Sequence, residues 1–177
     1  MGRVIRSALC TLALVALSIL SVSCSASYRA QQAAERAAVA AMVREGLDNM
    51  DFVLEITQII PRGFPTKSTL NEYEFKVKGD EVETRLPYFG ESRTPVYGDQ
   101  EISIVFKNQK VQIAKDFSDA SDGEYRLLLN AYSGSVLWTV TIQIFDSGMA
   151  RIGCKNASGD YMSYIADFTL PEKKDKE

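Results

Sequence analysis

The stretch NEYEFKVKGDEVETRLPYFG, residues 71–90, contains two runs in which apolar and polar residues alternate. Successive side chains of a β-strand point to opposite faces, so each run predicts a strand with one apolar and one charged face. Gly79-Asp80 separates the runs and is typical of a tight hairpin turn. The stretch therefore predicts two antiparallel strands, whose inner face carries Tyr73, Phe75, Val77, Val82, Thr84 and Leu86.

The same alternation recurs on both sides of this hairpin. The longest run, 135–145, places Val136, Trp138 and every second residue up to Ile144 on one face. One-sided burial is typical of antiparallel sheets, and a large flat sheet would leave too much apolar surface exposed. The chain is therefore predicted to be mainly β (α+β overall), with about eight or nine antiparallel strands in a curved sheet or a small barrel or sandwich. The other predicted strands are 51–60, 101–107, 110–117, 124–132, 148–155 and 160–170, with a turn at Asn108-Gln109.

An N-terminal helix is predicted before this β domain. Residues 24–48 are rich in alanine, which favours a helix, and Gly46 is a candidate helix stop. Alanine offers little apolar area to bury, so the segment is interpreted as a tether. The β domain is predicted to span 49–171, and a charged tail to span 172–177. In the alternative, the last helical turns dock onto the domain through Val39, Met42, Val43 and Leu47.

Residues 1–23 have the layout of a signal peptide. Two arginines precede an apolar run at 8–22, which is shorter than the about 20 residues of a membrane-spanning helix. Cys24 follows small residues and resembles the lipidated cysteine of bacterial lipoproteins, although Ser21 stands where leucine is usual. Two or three acyl chains on Cys24 would hold the chain on a membrane. An ordinary secretory signal that leaves Cys24 unmodified is the alternative.

This signal predicts a location in the cell envelope. No acidic run follows Cys24, whereas the surface-export signals of many Bacteroidetes lipoproteins carry one there. By that resemblance the chain is expected to be lipid-anchored, to the outer membrane, and to face the periplasm. The anchor makes the membrane its first expected partner.

Several chemistries are excluded by what the chain lacks. It has no histidine, so neither a Ser-His-Asp nor a Cys-His catalytic system exists, and its cysteines lack zinc-ligand spacing. The net charge of −3, which becomes −5 if Arg3 and Arg6 leave with the signal, argues against nucleic acid. No cofactor or metal is expected, and Cys154 is interpreted as a core residue. A polar loop explains Asp116, Asp119, Asp122 and Glu124 better than a calcium site does.

The turn segment RLPYFGESRTPVYG, residues 85–98, carries more aromatic surface than a turn requires. In one interpretation its rings plug the end of the core. In the other it is a contact surface, because tyrosine and arginine are enriched where interfaces concentrate their binding energy. The candidate interaction or ligand surface consists of Tyr88, Phe89, Arg93 and Tyr97. A small apolar ligand would instead need a cavity lined by Phe64, Tyr88 and Trp138.

The same segment resembles a family of exported Bacteroidetes proteins known as domain of unknown function 4251. The resemblance covers about residues 46–170 and implies no activity and no catalytic residue, because none is established for the family. It rests on Pro61-Arg62-Gly63, Gly79-Asp80, Leu86-Pro87-Tyr88-Phe89-Gly90, Pro95 and Tyr97-Gly98.

These features together predict a non-enzymatic lipoprotein of the cell envelope that acts as a binding or interaction module. Its expected partner is another envelope protein. One alternative is a carrier of a small apolar ligand, held in the mouth of a barrel. A third hypothesis, an enzyme that uses carboxylates on glycans, would need two acidic side chains about 5 to 9.5 Å apart in a cleft.

Overall fold

The structure is a computed structural model that describes residues 27–69, 73–88 and 103–171. The chain divides into two compact units, Met1–Ala38 and Val39–Glu177. The described residues begin with a helix, α1, over 27–49, and no helix among them combines the length and apolar composition that a membrane crossing requires. The strands are β1 Asp51–Pro61, β2 Lys67–Ser68, β3 Glu74–Lys78, β4 Glu81–Pro87, β5 Ser103–Lys110, β6 Ile113–Asp116, β7 Glu124–Ser133, β8 Val136–Phe145, β9 Met149–Asn156 and β10 Tyr161–Thr169, with one short 3-10 helix at Ala120–Asp122.

These strands form one antiparallel sheet in the order β5-β4-β3-β1-β10-β9-β8-β7-β6, with the short β2 paired to β1. The two edge strands, β5 and β6, follow each other in sequence and are joined only by Val111 and Gln112. A two-residue link spans less than about 10 Å, so both edges must lie close together. The sheet therefore curls around one face, and the predicted curved antiparallel sheet with an N-terminal helix is confirmed.

The inner face of the curled sheet forms the hydrophobic core. Inward residues of the predicted hairpin, from Phe75 to Leu86, are buried as expected. Two other predicted inward residues are less buried: Tyr73, before β3, is only partly buried, and Val136, on β8, is 38% exposed. Val136 opens β8 opposite Ser133, beside the β7–β8 turn, where the core has ended. The largest fully buried side chains are Tyr164, Phe52, Phe75, Phe106, Leu47, Leu54, Ile56, Leu86, Ile104, Leu127, Leu129 and Ile142.

The last turns of α1 belong to the same compact unit as the sheet. Val43 and Leu47 are buried in the core, so the docked alternative describes this part of the helix. The predicted helix stop at Gly46 is wrong, because α1 continues to residue 49. A Cβ atom at Gly46 would lie 2.6 Å from Cζ of Phe168, so glycine is needed here for close approach. The helix ends at Met50, where φ is +49°.

A ring of hydrogen bonds fixes this end of α1 to the sheet. Arg44 donates from Nε to the Tyr125 hydroxyl at 3.1 Å and from Nη2 to Oδ2 of Asp146 at 2.8 Å. The Tyr125 hydroxyl donates to Oδ1 of the same carboxylate at 3.1 Å. These contacts connect the helix, β7 and the turn after β8. The Arg44 side chain is largely exposed, and exposed ion pairs add little to the free energy of unfolding. We therefore expect the ring mainly to orient the helix on the sheet.

The seam between the two sheet edges is bridged by side chains. Strand β6 pairs with β7 only as far as Leu129. Beyond that point the Val105 amide donates to Oγ of Ser133 at 3.0 Å, and the Tyr132 amide donates to Oε1 of Gln109 at 2.7 Å. Side-chain oxygens thus replace a strand ladder between β5 and β7.

The turn predicted at Asn108-Gln109 is wrong, because β5 continues through both residues to Lys110. Asn108 instead adopts a φ of +43° in a β-bulge, where the register between β4 and β5 shifts. Asparagine tolerates this left-handed conformation better than most residues, so a turn-like residue occupies a bulge. The chain does not reverse between β5 and β6: the Val111 amide donates to the Asp80 carbonyl at 2.8 Å, and β6 then pairs antiparallel with β7.

Candidate functional site

The candidate site that the sequence indicated begins at the end of β4. The Tyr88 ring contacts the Trp138 ring in an edge-on arrangement, with 5.8 Å between ring centroids and an interplanar angle of 63°. Both side chains are 7% exposed. The buried Tyr164 hydroxyl donates to the Pro87 carbonyl at 2.9 Å. This bond satisfies a carbonyl that leaves the strand ladder, so the strand end is fixed against the core.

The polar side of this group is formed by the β9–β10 connection. Nδ2 of Asn156 donates to Oδ2 of Asp160 at 2.8 Å, and the Asp160 amide donates to Oδ1 of Asn156 at 3.0 Å. Burial raises the pKa of the Tyr88 hydroxyl. The negative charge of Asp160, and then a hydrogen bond to the Asp160 carboxylate, raise this pKa further. We call Tyr88, Trp138, Asn156, Asp160 and Tyr164 the Tyr88 cluster. It joins β4, β8, β9 and β10 at one end of the sheet.

Of the four predicted interaction residues, the structure describes only Tyr88. The burial of Tyr88 agrees with the plug interpretation for that ring. Phe89, Arg93 and Tyr97 lie outside the described residues, as does Cys24, so their predicted roles stay predictions. The contact surface on this segment is therefore a hypothesis about the residues that follow Tyr88.

The residues expected to line a ligand cavity do not form one together. Tyr88 and Trp138 pack directly on each other and fill the core. Phe64 lies in the loop after β1 and is 56% exposed. Two of the three side chains thus occupy the space that a small apolar ligand would need.

Other titratable groups in the core are held in their neutral forms. Cys154 is a buried free thiol, which confirms its interpretation as a core residue. Burial raises its pKa to about 12. Burial likewise raises the pKa of the Tyr164 hydroxyl far above its usual range. Neither group is ionised near neutral pH, so the thiol is a poor nucleophile.

The acidic segment 116–124 is organised by hydrogen bonds and one arginine. The Ser118 hydroxyl and amide donate to Oδ1 of Asp116, and these bonds lower the pKa of its carboxyl group, with the hydroxyl bond the larger cause. Arg126 pairs with Asp119 at 3.1 Å and with Glu124 at 2.8 Å. In the described part of the chain, no three side chains of types that ligate metals are grouped closely enough to hold an ion.

Known proteins share both the sequence pattern and the fold. A family model described as Domain of unknown function (DUF4251) matches residues 31–165. The chain belongs to this family. A crystal structure of a DUF4251 family protein from Bacteroides eggerthii DSM 20697 has a TM-score of 0.55 to this chain at 12% sequence identity, and the match covers 76% of this chain and 89% of that one. At that identity the likeness shows the fold alone, and no curated protein matches the chain significantly.

The family assignment confirms the resemblance that the sequence suggested, including its link to Bacteroidetes. The DUF4251 match begins inside α1, earlier than the expected start at Gly46. The match as a whole carries the assignment, and it does not single out residues 86–90. It brings no reaction, ligand or partner with it.

The outer face of this DUF4251 sheet carries shallow grooves of mixed charge. One groove of about 420 Å³ lies over β1, β3 and β4, and a neighbouring groove of about 300 Å³ lies over β3, β4 and β5. Lys76 and Glu83 line both. Acidic and basic side chains alternate along these grooves, so they favour no single ligand charge.

A second part of the outer face is apolar, and sequence reasoning missed it. Large exposed side chains lie at outward positions of β7, β8 and β10 rather than in the core. The signal was present, because most outward positions of these strands are polar and an apolar residue there breaks the alternation. Phe145 and Ile165 are also outward and apolar, but they are half-buried. The alternation was interpreted only for the inward set. The exposed residues are Leu128, Tyr132, Leu137 and Tyr161.

Proposed function

We propose that the chain is a lipid-anchored protein of the bacterial cell envelope, with its β unit on the periplasmic side, and that this unit binds another protein. The apolar run at 8–22 followed by Cys24 supports the anchor. The absence of histidine and the neutral, buried Cys154 support a binding role over catalysis.

The observation that carries the binding role is the contrast between the two faces of the sheet. The inner face is occupied by side chains, and Tyr88 packs against Trp138 where a ligand mouth was expected. The outer face, by contrast, exposes large apolar side chains. The packing of Tyr88 on Trp138, together with exposed apolar surface on the outer face, favours a protein partner over a small apolar ligand.

The residues that follow Tyr88 are part of this proposal. Phe89, Arg93 and Tyr97 combine aromatic and guanidinium groups, which are enriched in binding hot spots. Tyr88 then acts as their anchor instead of as a contact residue, because its ring is buried.

Photocrosslinking in the native cell tests this function. We expect a photoreactive phenylalanine analogue at Tyr97 of the full chain to form a discrete protein adduct, because a residue that belongs to a binding surface contacts the partner. The same analogue at Lys78, an exposed residue on β3, is the matched control. Absence of any adduct at position 97 would remove this segment from the binding surface, and a small mass increment would indicate a bound molecule instead.

A further inference from the structure

We infer that the outer face of β7 to β10 docks a short acidic segment of a partner protein. This inference rests on the proposed binding function and assigns it a surface that the sequence did not indicate. We name this surface the Tyr161 face. It consists of Leu128, Tyr132, Leu137, Arg151, Lys155 and Tyr161.

The strand register places these residues side by side. Tyr132 lies opposite Leu137 across β7 and β8, and Lys155 lies opposite Tyr161 across β9 and β10. Lys155 also faces Thr139 on β8, which is two residues from Leu137. Directly opposed side chains in antiparallel strands have Cβ atoms about 5 Å apart, so these four residues are neighbours. Leu128 lies in the row of Gly153, and Arg151 lies one row beyond it.

The four apolar members, Leu128, Tyr132, Leu137 and Tyr161, are between 41% and 54% exposed, although most outward residues of the strands that carry them are polar. Tyr161 is held in place by Gly153 on the adjacent strand. A Cβ atom at Gly153 would lie 3.3 Å from the Tyr161 hydroxyl oxygen and 3.6 Å from its Cε2 atom. The ring therefore lies over the glycine, close to the sheet. A ring that is already positioned loses little conformational freedom on binding.

The charge of the Tyr161 face selects an acidic partner. Among the described residues, neither Arg151 nor Lys155 forms an ion pair or a side-chain hydrogen bond. On β3, another strand of the outer face, Lys76 by contrast pairs with Glu74 at 2.6 Å. Lys155 lies opposite Tyr161 and Arg151 lies four residues away on β9, so the two cations flank Gly153 and the Tyr161 ring above it. The outward acid Asp167 lies beyond Arg151 on β10, away from this ring. Complementary charge steers association and suppresses the wrong partners.

The size of the patch indicates a segment rather than a whole protein surface. Four strands spaced about 4.8 Å apart and four rows of outward residues about 7 Å apart give an area on the order of 300 Å². A standard protein interface buries about 800 Å² on each partner. The Tyr161 face therefore fits a short extended segment in which aspartate or glutamate alternates with apolar residues.

Site-specific photocrosslinking at Tyr161 of the full chain, in the native cell, tests this inference. We expect a protein adduct whose crosslinked peptide, identified by mass spectrometry, carries a net negative charge. The double variant Arg151→Glu/Lys155→Glu should reduce the adduct yield at least tenfold, because both cations become repulsive. The matched control Lys78→Glu/Arg85→Glu reverses two exposed cations on the outer face of β3 and β4 and should leave the yield unchanged.

Several results would overturn the inference. These are no adduct at Tyr161, an adduct insensitive to charge reversal, the same adduct from a probe at Lys78, or an adduct with a lipid or a glycan. A probe at Tyr97 in the same cells separates this inference from the proposed function. An adduct at 97 without one at 161 leaves the binding function standing and refutes the Tyr161 face. No protein adduct at either position contradicts both.

Discussion

Tyr88, Gly46 and Gly153 show how single residues determine this structure. The sequence placed Tyr88 in an aromatic turn, but only its contact with Trp138 shows that the ring is buried. The two glycines lack a side chain where a neighbouring ring comes close, Phe168 at Gly46 and Tyr161 at Gly153. Neither ring follows its glycine closely in the chain. From the local sequence, Gly46 therefore resembles a helix stop and Gly153 resembles an unfavourable strand residue, although each glycine makes room for a ring.

At the residue scale, we predict that Gly46→Ala destabilises the protein by about 1 to 3 kcal/mol, as overpacking typically does. The new methyl group would meet the Phe168 ring at 2.6 Å, which outweighs the higher helix propensity of alanine. Equilibrium urea unfolding measures the change.

The control for this prediction is Ala41→Gly, at an exposed position of the same helix, which should cost about 1 kcal/mol through propensity alone. Opposite substitutions at the two positions should thus both destabilise. A more stable Gly46→Ala variant would show that Phe168 moves aside freely and that Gly46 has no packing role.

At the element scale, alternation of apolar and polar residues was sufficient to predict the strands. The hairpin of β3 and β4 and the long strand β8 lie close to their predicted positions, because inward side chains recur at every second residue. The bulge at Asn108 escaped prediction, since asparagine suits a turn and a bulge equally. The pairing of β1 with β10 also escaped prediction, because it joins the two ends of the domain and leaves no local signal.

The seam between β5 and β7 gives the prediction for this scale. We expect Ser133→Ala and Gln109→Ala each to speed hydrogen exchange about fivefold, at the amides of Val105 and Tyr132 respectively. Each variant removes a hydrogen bond worth about 1 kcal/mol from an amide that a side-chain oxygen, instead of a strand carbonyl, satisfies. Exchange followed by NMR measures the effect.

Thr139→Ala provides the comparison for the seam variants. It removes a side-chain bond between Thr139 and Asn130 on the outer face of β7 and β8 and should not change either amide. If both seam amides keep their exchange rates in the Ser133 and Gln109 variants, the side chains do not close the seam.

At the scale of the whole molecule, both edges of the curled sheet, β5 and β6, are protected. Side chains bridge β5 to β7. Strand β6 is only four residues long, and charged Lys115 and Asp116 lie on it. Short, charged edges discourage pairing with other chains. The described β unit thus offers few edge groups for strand addition and directs binding to its outer face. The core, the edges and the exposed apolar residues together favour a module that binds a partner without enclosing a ligand.

The proposed place of this module in the cell depends on Cys24, which lies outside the described residues. Mass spectrometry of the N-terminal peptide of the protein isolated from native membranes tests this claim most directly. We expect a mature chain that begins at Cys24 and carries the mass of two or three acyl chains, together with loss of membrane association in Cys24→Ala but not in Cys10→Ala. A mature chain that begins elsewhere, or an unmodified Cys24, would contradict the account of a lipid-anchored envelope protein.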